Sequence, residues 1–265
     1  MELHNPYEKY ARLTEKESQF SYARYFFRPF PGISEEQENI LKYGSRLTNK
    51  EALLPQNMSE MFWPEKIKTE NGYCVMPDGT GFVAAIHQMP EVTLEMYKWW
   101  NEWRMKGDSN GRYKIWCPGK HLVCHNIFAS EEIGGKIEEI YFQTGITESP
   151  EKIGLDPEAM KKSKLLLADG GGAWSKVIGE APDVPPVGGI VIHFIYQHEN
   201  GKGITMRSRF WKGVSIGEEG VYKSLAPGQK ETMKSLRGLF EHNCIEMEYL
   251  NSLLPELYKE ECGKE

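Results

Sequence analysis

The order of patterns along the chain predicts an α+β fold, an antiparallel sheet closed over one long terminal helix. Three stretches carry that expectation. Residues 72–88, "GYCVMPDGTGFVAAIHQ", read as two strands around Asp78 and Gly79, a strong turn signal. Residues 187–213, "VGGIVIHFIYQHENGKGITMRSRFWKG", read as a second hairpin turning at Glu199 to Gly203. Near the C-terminus, Met233, Leu236, Phe240, Met247, Leu250 and Leu254 recur at close to helical spacing, with Pro227 and Gly228 just before the start. A sheet wrapped around one helix leaves a cavity between them, and a small-molecule site belongs there.

The remaining segments fill in that frame. Residues 1–70 mix aromatic, charged and proline-rich pieces without a sustained period. They are expected to form an extension that wraps the domain or joins a subunit contact, leaving residues 71–265 as one domain. In "MPEVTLEMYKWWNEWRM", Pro90 and Thr93 open a helix with Met96, Trp99, Trp100 and Trp103 on one apolar face. "RYKIWCPGKHLVCHNIFASEEIGG" reads as extended structure, with a turn forced at Pro118 and Gly119. "GKIEEIYFQT" and "SKLLLA" read as further strands. Asp169 to Gly172 reads as a flexible turn; it lacks the spacing of a phosphate cradle.

Composition narrows the function. A chain of 265 residues has room for one substantial core. Its net charge of −6, with no long basic run, argues against nucleic acid or an anionic membrane surface as a partner. No segment approaches the ~18 apolar residues of a membrane span, and the start "MELHNPYEKY" has no basic region followed by an apolar one, so a cytoplasmic protein is expected. The five cysteines are scattered without a CxxC, which fits reduced thiols. A metal bound here would therefore take nitrogen and oxygen ligands.

His242 and Glu246 are the first candidate pair. Four residues apart on a helix they share a face, so an imidazole and a carboxylate can grip one ion from one rigid element. The plain alternative is a half-buried histidine beside a solvated carboxylate. His121 and Glu131 are ten apart, ~33 Å along a continuous strand. A tight reversal near Asn126 would instead set them opposite one another on one face. Two histidines and two carboxylates suit Zn²⁺, with Fe²⁺ or Mn²⁺ as competitors. His193 lies between Val191 and Ile195 on an apolar strand face, as a core histidine or as an acid or base. Arg209 with Trp211 could hold a substrate oxygen or form an outward pair. Tyr113 could donate a proton, polarise a phenol or simply pack.

Several segments together, "MPEVTLEMYKWWNEW", "RYKIWCPGKH", "EEIGG", "RSRFWKG" and "EHNCIEMEYLNSLLPELYKEE", resemble the phloretin hydrolase and 2,4-diacetylphloroglucinol hydrolase family. They follow in the expected order from about Met89 to the C-terminus. The resemblance implies a helix-grip fold like Bet v 1 and START domains, and one zinc ion per chain held by two histidines and two glutamates. Carried over, the ligands are His121, His242, Glu246 and the glutamate of the Glu-x-Ile-Gly-Gly motif. That glutamate falls on Glu131, with Glu132 one residue away and Glu151 as a distant third. The segment between His121 and this glutamate is markedly shorter than in the family. Tyr113 and His193 match residues lining the pocket.

The implied reaction hydrolyses the carbon–carbon bond between a phloroglucinol-type ring and an acyl group of a polyphenol ketone. Protonation of the acyl-bearing ring carbon gives a diketone-like tautomer, so attack on the carbonyl resembles a retro-Claisen step. The alternative is a non-catalytic helix-grip binder of aromatic small molecules, and a weaker one a zinc hydrolase of esters or amides. A homodimer is a further expectation from the aromatic N-terminal segment.

Overall fold

A computed structural model describes residues 11–107, 109–121, 142–143, 155–175 and 187–264. Its sheet has six antiparallel strands: β1 (Gly72–Val75), β2 (Gly81–Met89), β3 (Phe142–Gln143), β4 (Leu165–Ser175), β5 (Val187–Gln197) and β6 (Ile204–Lys212), in the order β1-β2-β6-β5-β4-β3. Strands β7 (Val214–Gly217) and β8 (Gly220–Lys223) make a separate small hairpin. Helices α1 (Glu35–Tyr43), α2 (Leu94–Trp103), α3 (Ser109–Trp116) and α4 (Pro157–Lys162) precede the long α5 (Met233–Glu261). The α+β class and the terminal helix are as the sequence predicts.

Local chemistry sets the boundaries. Asp78 accepts from the Thr80 amide at 3.0 Å and Gly79 takes φ +89°, which closes the β1–β2 hairpin. Thr93 caps α2 by accepting from the Met96 amide, and Thr232 caps α5 by accepting from that of Ser235.

Strand alternation sorts the sheet into two faces. Tyr73, Val83, Ala85, Val191 and Phe210 face Leu236, Phe240 and Cys244 of α5. Phe82, Ala84, Ile190, Ile192, Phe194 and Trp211 face the other way, under Met58, Met61 and Phe62 of the N-terminal segment. Trp211 Nε1 donates to the Leu53 carbonyl at 2.7 Å, so this segment seals the outer face by backbone as well as side chain. The α2 tryptophans fill a third cluster: Trp100 and Trp103 are buried with Ile115 and Trp116 of α3 against Met247, Leu250 and Leu254 of α5.

Two expectations fail. The segment around Tyr113 is helix α3, not extended structure. Most of it is buried, including Arg112 over the Trp103 ring and Lys114 paired with Glu17 at 2.8 Å, so its polar residues find partners inside the fold. Residues Asp169 to Gly172 lie inside β4, not in a turn. A Cβ on Gly170 would meet the Val191 carbonyl oxygen at 2.0 Å, so the glycines permit close approach of β5.

Among the described residues no helix is long and apolar enough to cross a membrane. Among the described residues Cys74, Cys117, Cys244 and Cys262 are free thiols.

Candidate metal centre

The end of α3 and the middle of α5 build the site. After Trp116 the chain turns back, with the Lys120 and His121 amides both donating to the Cys117 carbonyl at 3.1 Å and Gly119 at φ +79°. The turn lays the His121 ring flat on Tyr113, centroids 3.8 Å apart and planes within 7°. His121 Nδ1 lies 3.0 Å from the Tyr113 carbonyl oxygen. A carbonyl only accepts, so the proton sits on Nδ1 and Nε2 of the neutral ring presents a lone pair. Trp116 Nε1 donates to the Glu246 carbonyl at 2.9 Å, which ties α3 to α5.

From the N-terminal segment, Arg28 reinforces that junction. Its guanidinium donates to the carbonyls of Ile115 at 2.6 Å, Trp116 at 2.9 Å and Tyr249 at 3.1 Å. Burial lowers its pKa to about 10, which leaves it cationic at neutral pH. A cation on the last carbonyls of α3 also complements the helix dipole.

His121, His242 and Glu246 each bring one ligand atom within 4.8 Å of the others. Glu246 Oε2 lies 3.4 Å from His121 Nε2 and 3.6 Å from His242 Nε2. His121 Nε2 is buried and has no hydrogen-bond partner among the described residues. An imidazole lone pair thus faces a buried carboxylate oxygen, an arrangement that wants a cation between them. Ligand atoms ~2.0–2.1 Å from a tetrahedral zinc ion sit about 3.4 Å from one another, close to the two histidine–glutamate separations here. The donor set fits the ion that the resemblance implies.

The charge balance favours ligands ready for a metal at neutral pH. Burial lowers the His242 pKa to about 4 against the pull of Glu246. Burial alone would raise Glu246, but His242, His121 and the Asn243 amide outweigh it and hold the carboxyl at about 2. These groups lose their protons well below neutrality.

The sequence-predicted residues divide as follows. His121, His242 and Glu246 converge, and Tyr113 stacks on the first of them. Glu131, like Glu132 and Glu151, lies outside the described residues, as does the reversal near Asn126. His193 sits on the α5 side of the sheet, with Nδ1 2.8 Å from Ser208 Oγ. Register places Asp169, His193 and Ser208 side by side on β4, β5 and β6. Burial lowers the His193 pKa, opposed by Asp169 and Glu246. Arg209 holds no substrate position: it points outward to Glu70 at 3.2 Å and to the Thr69 and Ala85 carbonyls.

Other polar residues escape sequence reasoning. Tyr97 and Asn101 of α2 both donate to Asp169 Oδ2, at 2.7 and 2.9 Å. Asn243 donates to Glu246 Oε1 at 3.1 Å, and its Oδ1 lies 3.0 Å from His87 Nε2. A legible signal existed for two of them. Asn243 interrupts the Phe240 to Met247 apolar stripe at i+3, and His87 alternates with Ala85 and Met89 on a buried strand face.

A family model described as the DAPG hydrolase PhiG domain matches residues 53–259. The chain belongs to that family of hydrolases. It is 29% identical over 256 residues to a phloretin hydrolase of Eubacterium ramulus, covering 93% of this chain and 92% of the relative. It is 23% identical over 273 residues to a 2,4-diacetylphloroglucinol hydrolase of Pseudomonas protegens, covering 90% of this chain and 84% of the relative. A second 2,4-diacetylphloroglucinol hydrolase, from a Pseudomonas species, is equally similar at 23%.

Proposed function

We propose that this protein hydrolyses the carbon–carbon bond between a phloroglucinol-type ring and its acyl group, with one zinc ion per chain held by His121, His242 and Glu246. Glu131 is proposed as the fourth ligand from the family motif. The observation that carries the reading is the buried His121 Nε2, without a hydrogen bond among the described residues and 3.4 Å from the Glu246 carboxylate, in a chain of this family.

Zinc bound to such a set supplies Lewis acidity toward the acyl carbonyl and lowers the pKa of water toward ~7. The chain's own residues do the rest. His193, with Nδ1 held at Ser208, has Nε2 left to carry a proton to the acyl-bearing ring carbon. Water adds to the acyl carbon as the bond to the ring carbon breaks. The products are a carboxylic acid and the free polyphenol. Tyr113 packs against His121 and is assigned to orient a phenol oxygen. The substrate class is a polyphenol ketone of the phloretin or acetylphloroglucinol type, as the names of the relatives suggest.

The same reading takes residues 71–265 as a helix-grip catalytic domain, supported by α5 lying on one face of the antiparallel sheet, with residues 1–70 as its extension. Phe27 and Tyr43 on that extension are exposed, which supports a homodimer contact. Free thiols at Cys74, Cys117, Cys244 and Cys262 support a reducing cytoplasmic setting.

The test is elemental analysis of the purified protein beside His242→Ala, with turnover of phloretin and diacetylphloroglucinol. About one zinc per chain, lost with turnover in the variant, is the expected result. Wild-type turnover without stoichiometric metal would overturn the metal role, and binding of these ketones without products would make the protein a carrier of aromatics.

A further inference from the structure

We propose that Asn243 and His87 are positioning residues that confine Glu246 to one-oxygen coordination and so select a low-coordinate ion, zinc, over six-coordinate Mn²⁺ or Fe²⁺. The inference rests on the metal reading above and concerns residues that are not themselves ligands. Its basis is a chain of hydrogen bonds running from the sheet through the helix to the ligand.

Glu246 uses its two oxygens differently. Oε2 faces His121 and His242, whereas Oε1 accepts from Asn243 Nδ2 at 3.1 Å. The amide cannot be turned over without setting its oxygen against the carboxylate, so Nδ2 faces Glu246 and Oδ1 faces away. Asn243 is fully buried, and Oδ1 then needs a donor. His87 Nε2, 3.0 Å away, is that donor and carries the proton. His87 is itself buried on β2, with Nδ1 3.8 Å from Glu248 Oε1. The imidazole therefore locks the amide, and the amide occupies the oxygen that a two-oxygen carboxylate would offer the ion. A zinc ion favours four ligands, while Mn²⁺ and Fe²⁺ favour larger sets that a bidentate carboxylate helps to fill.

The experiment titrates the full-length, chelator-treated protein with Zn²⁺ and with Mn²⁺ against a chromophoric chelator. Co²⁺ substitution then reports coordination number through the intensity of its visible bands. Asn243→Leu and His87→Phe should each weaken Zn²⁺ binding by about 10- to 100-fold, narrow the Zn²⁺ over Mn²⁺ preference and dim the Co²⁺ bands. His87→Gln, whose amide nitrogen can reach the same Oδ1, should retain wild-type behaviour. The two His87 variants decide the matter if Asn243→Leu does not fold. Wild-type affinity and spectra in folded His87→Phe would overturn the inference, as would a loss in His87→Gln equal to that in His87→Phe. Failure of the metal reading looks different: wild type and His242→Ala would then bind Zn²⁺ equally poorly, and the inference would fall with it.

Discussion

The two faces of the sheet each bury a charged cluster, and the clusters are built on opposite principles. On the outer face Arg207 and Arg209 share Glu70, at 2.8 and 3.2 Å, and Arg209 also donates to the Thr69 and Ala85 carbonyls. Every charge there meets a charge of opposite sign. On the inner face Glu246 Oε2 lies between two imidazoles, the His121 ring turns a lone pair toward it, and His121 Nε2 has no hydrogen bond among the described residues. The outer cluster is complete as protein alone and fastens the N-terminal segment to the sheet. The inner one leaves a buried imidazole nitrogen facing a carboxylate oxygen with no hydrogen bond between them among the described residues, the place that the proposed ion would take. A closed cluster signals structure and an open one signals a site.

Neutralising one carboxylate in each cluster breaks the comparison most directly. Glu246→Gln should remove the metal and lower turnover by several kcal/mol of transition-state stabilisation, ~10³-fold or more, while costing the metal-free fold little. Glu70→Gln should do the reverse. It leaves Arg209 buried without its partner and should cost about 2 kcal/mol of stability, less than a fully buried pair because Glu70 retains 32% side-chain exposure. Activity per folded molecule should hold. Paired measurements of phloretin turnover and urea midpoints check both, and a Glu70→Gln variant that loses metal would dissolve the distinction between the faces.

Most of the inner cluster was legible because a helix writes its geometry into spacing. His242 and Glu246 had to share a face, and both hairpins were announced by their turn residues. His121 was legible as a residue but not as a position: Tyr113, Arg112 and Lys114 alternate like a strand, yet buried partners from α2 and the N-terminal segment make that stretch helical. Tertiary partners decided what local pattern could not. Asp169 was misread for a related reason, since three following glycines usually mark a turn but here let β5 approach closely. Asn243 and His87 lay in plain sight as polar residues at core positions, and only the fold shows that they face one another.

The remaining expected effect concerns protons in the metal-free protein. His242 and Glu246 both have folded-state pKa values below their ordinary ones, about 4 against 6.5 and about 2 against 4.5. As pH falls the unfolded chain therefore binds protons first, and stability drains with acidification. The His242 share goes between pH 6.5 and about 4, and the Glu246 share between about 4.5 and 2. The groups facing His242 are Glu246, which favours its protonation, and His121 and Lys120, which oppose it; burial, the largest influence, acts in the same direction as the latter two and outweighs Glu246. One extra proton on the unfolded state sets the slope at no more than ~1.4 kcal/mol per pH unit. In chelated protein, His242→Ala should flatten the upper part of that curve, and because His242 also holds the Glu246 carboxyl down it should make the part below pH 4 shallower as well. Urea midpoints taken from pH 7 to pH 4 measure it, and parallel curves for variant and wild type would mean that His242 is not held neutral by burial. The outer cluster gives a control, because Glu70→Gln lowers stability without touching His242, so its curve between pH 6.5 and about 4 should retain the His242 share of the slope that His242→Ala removes.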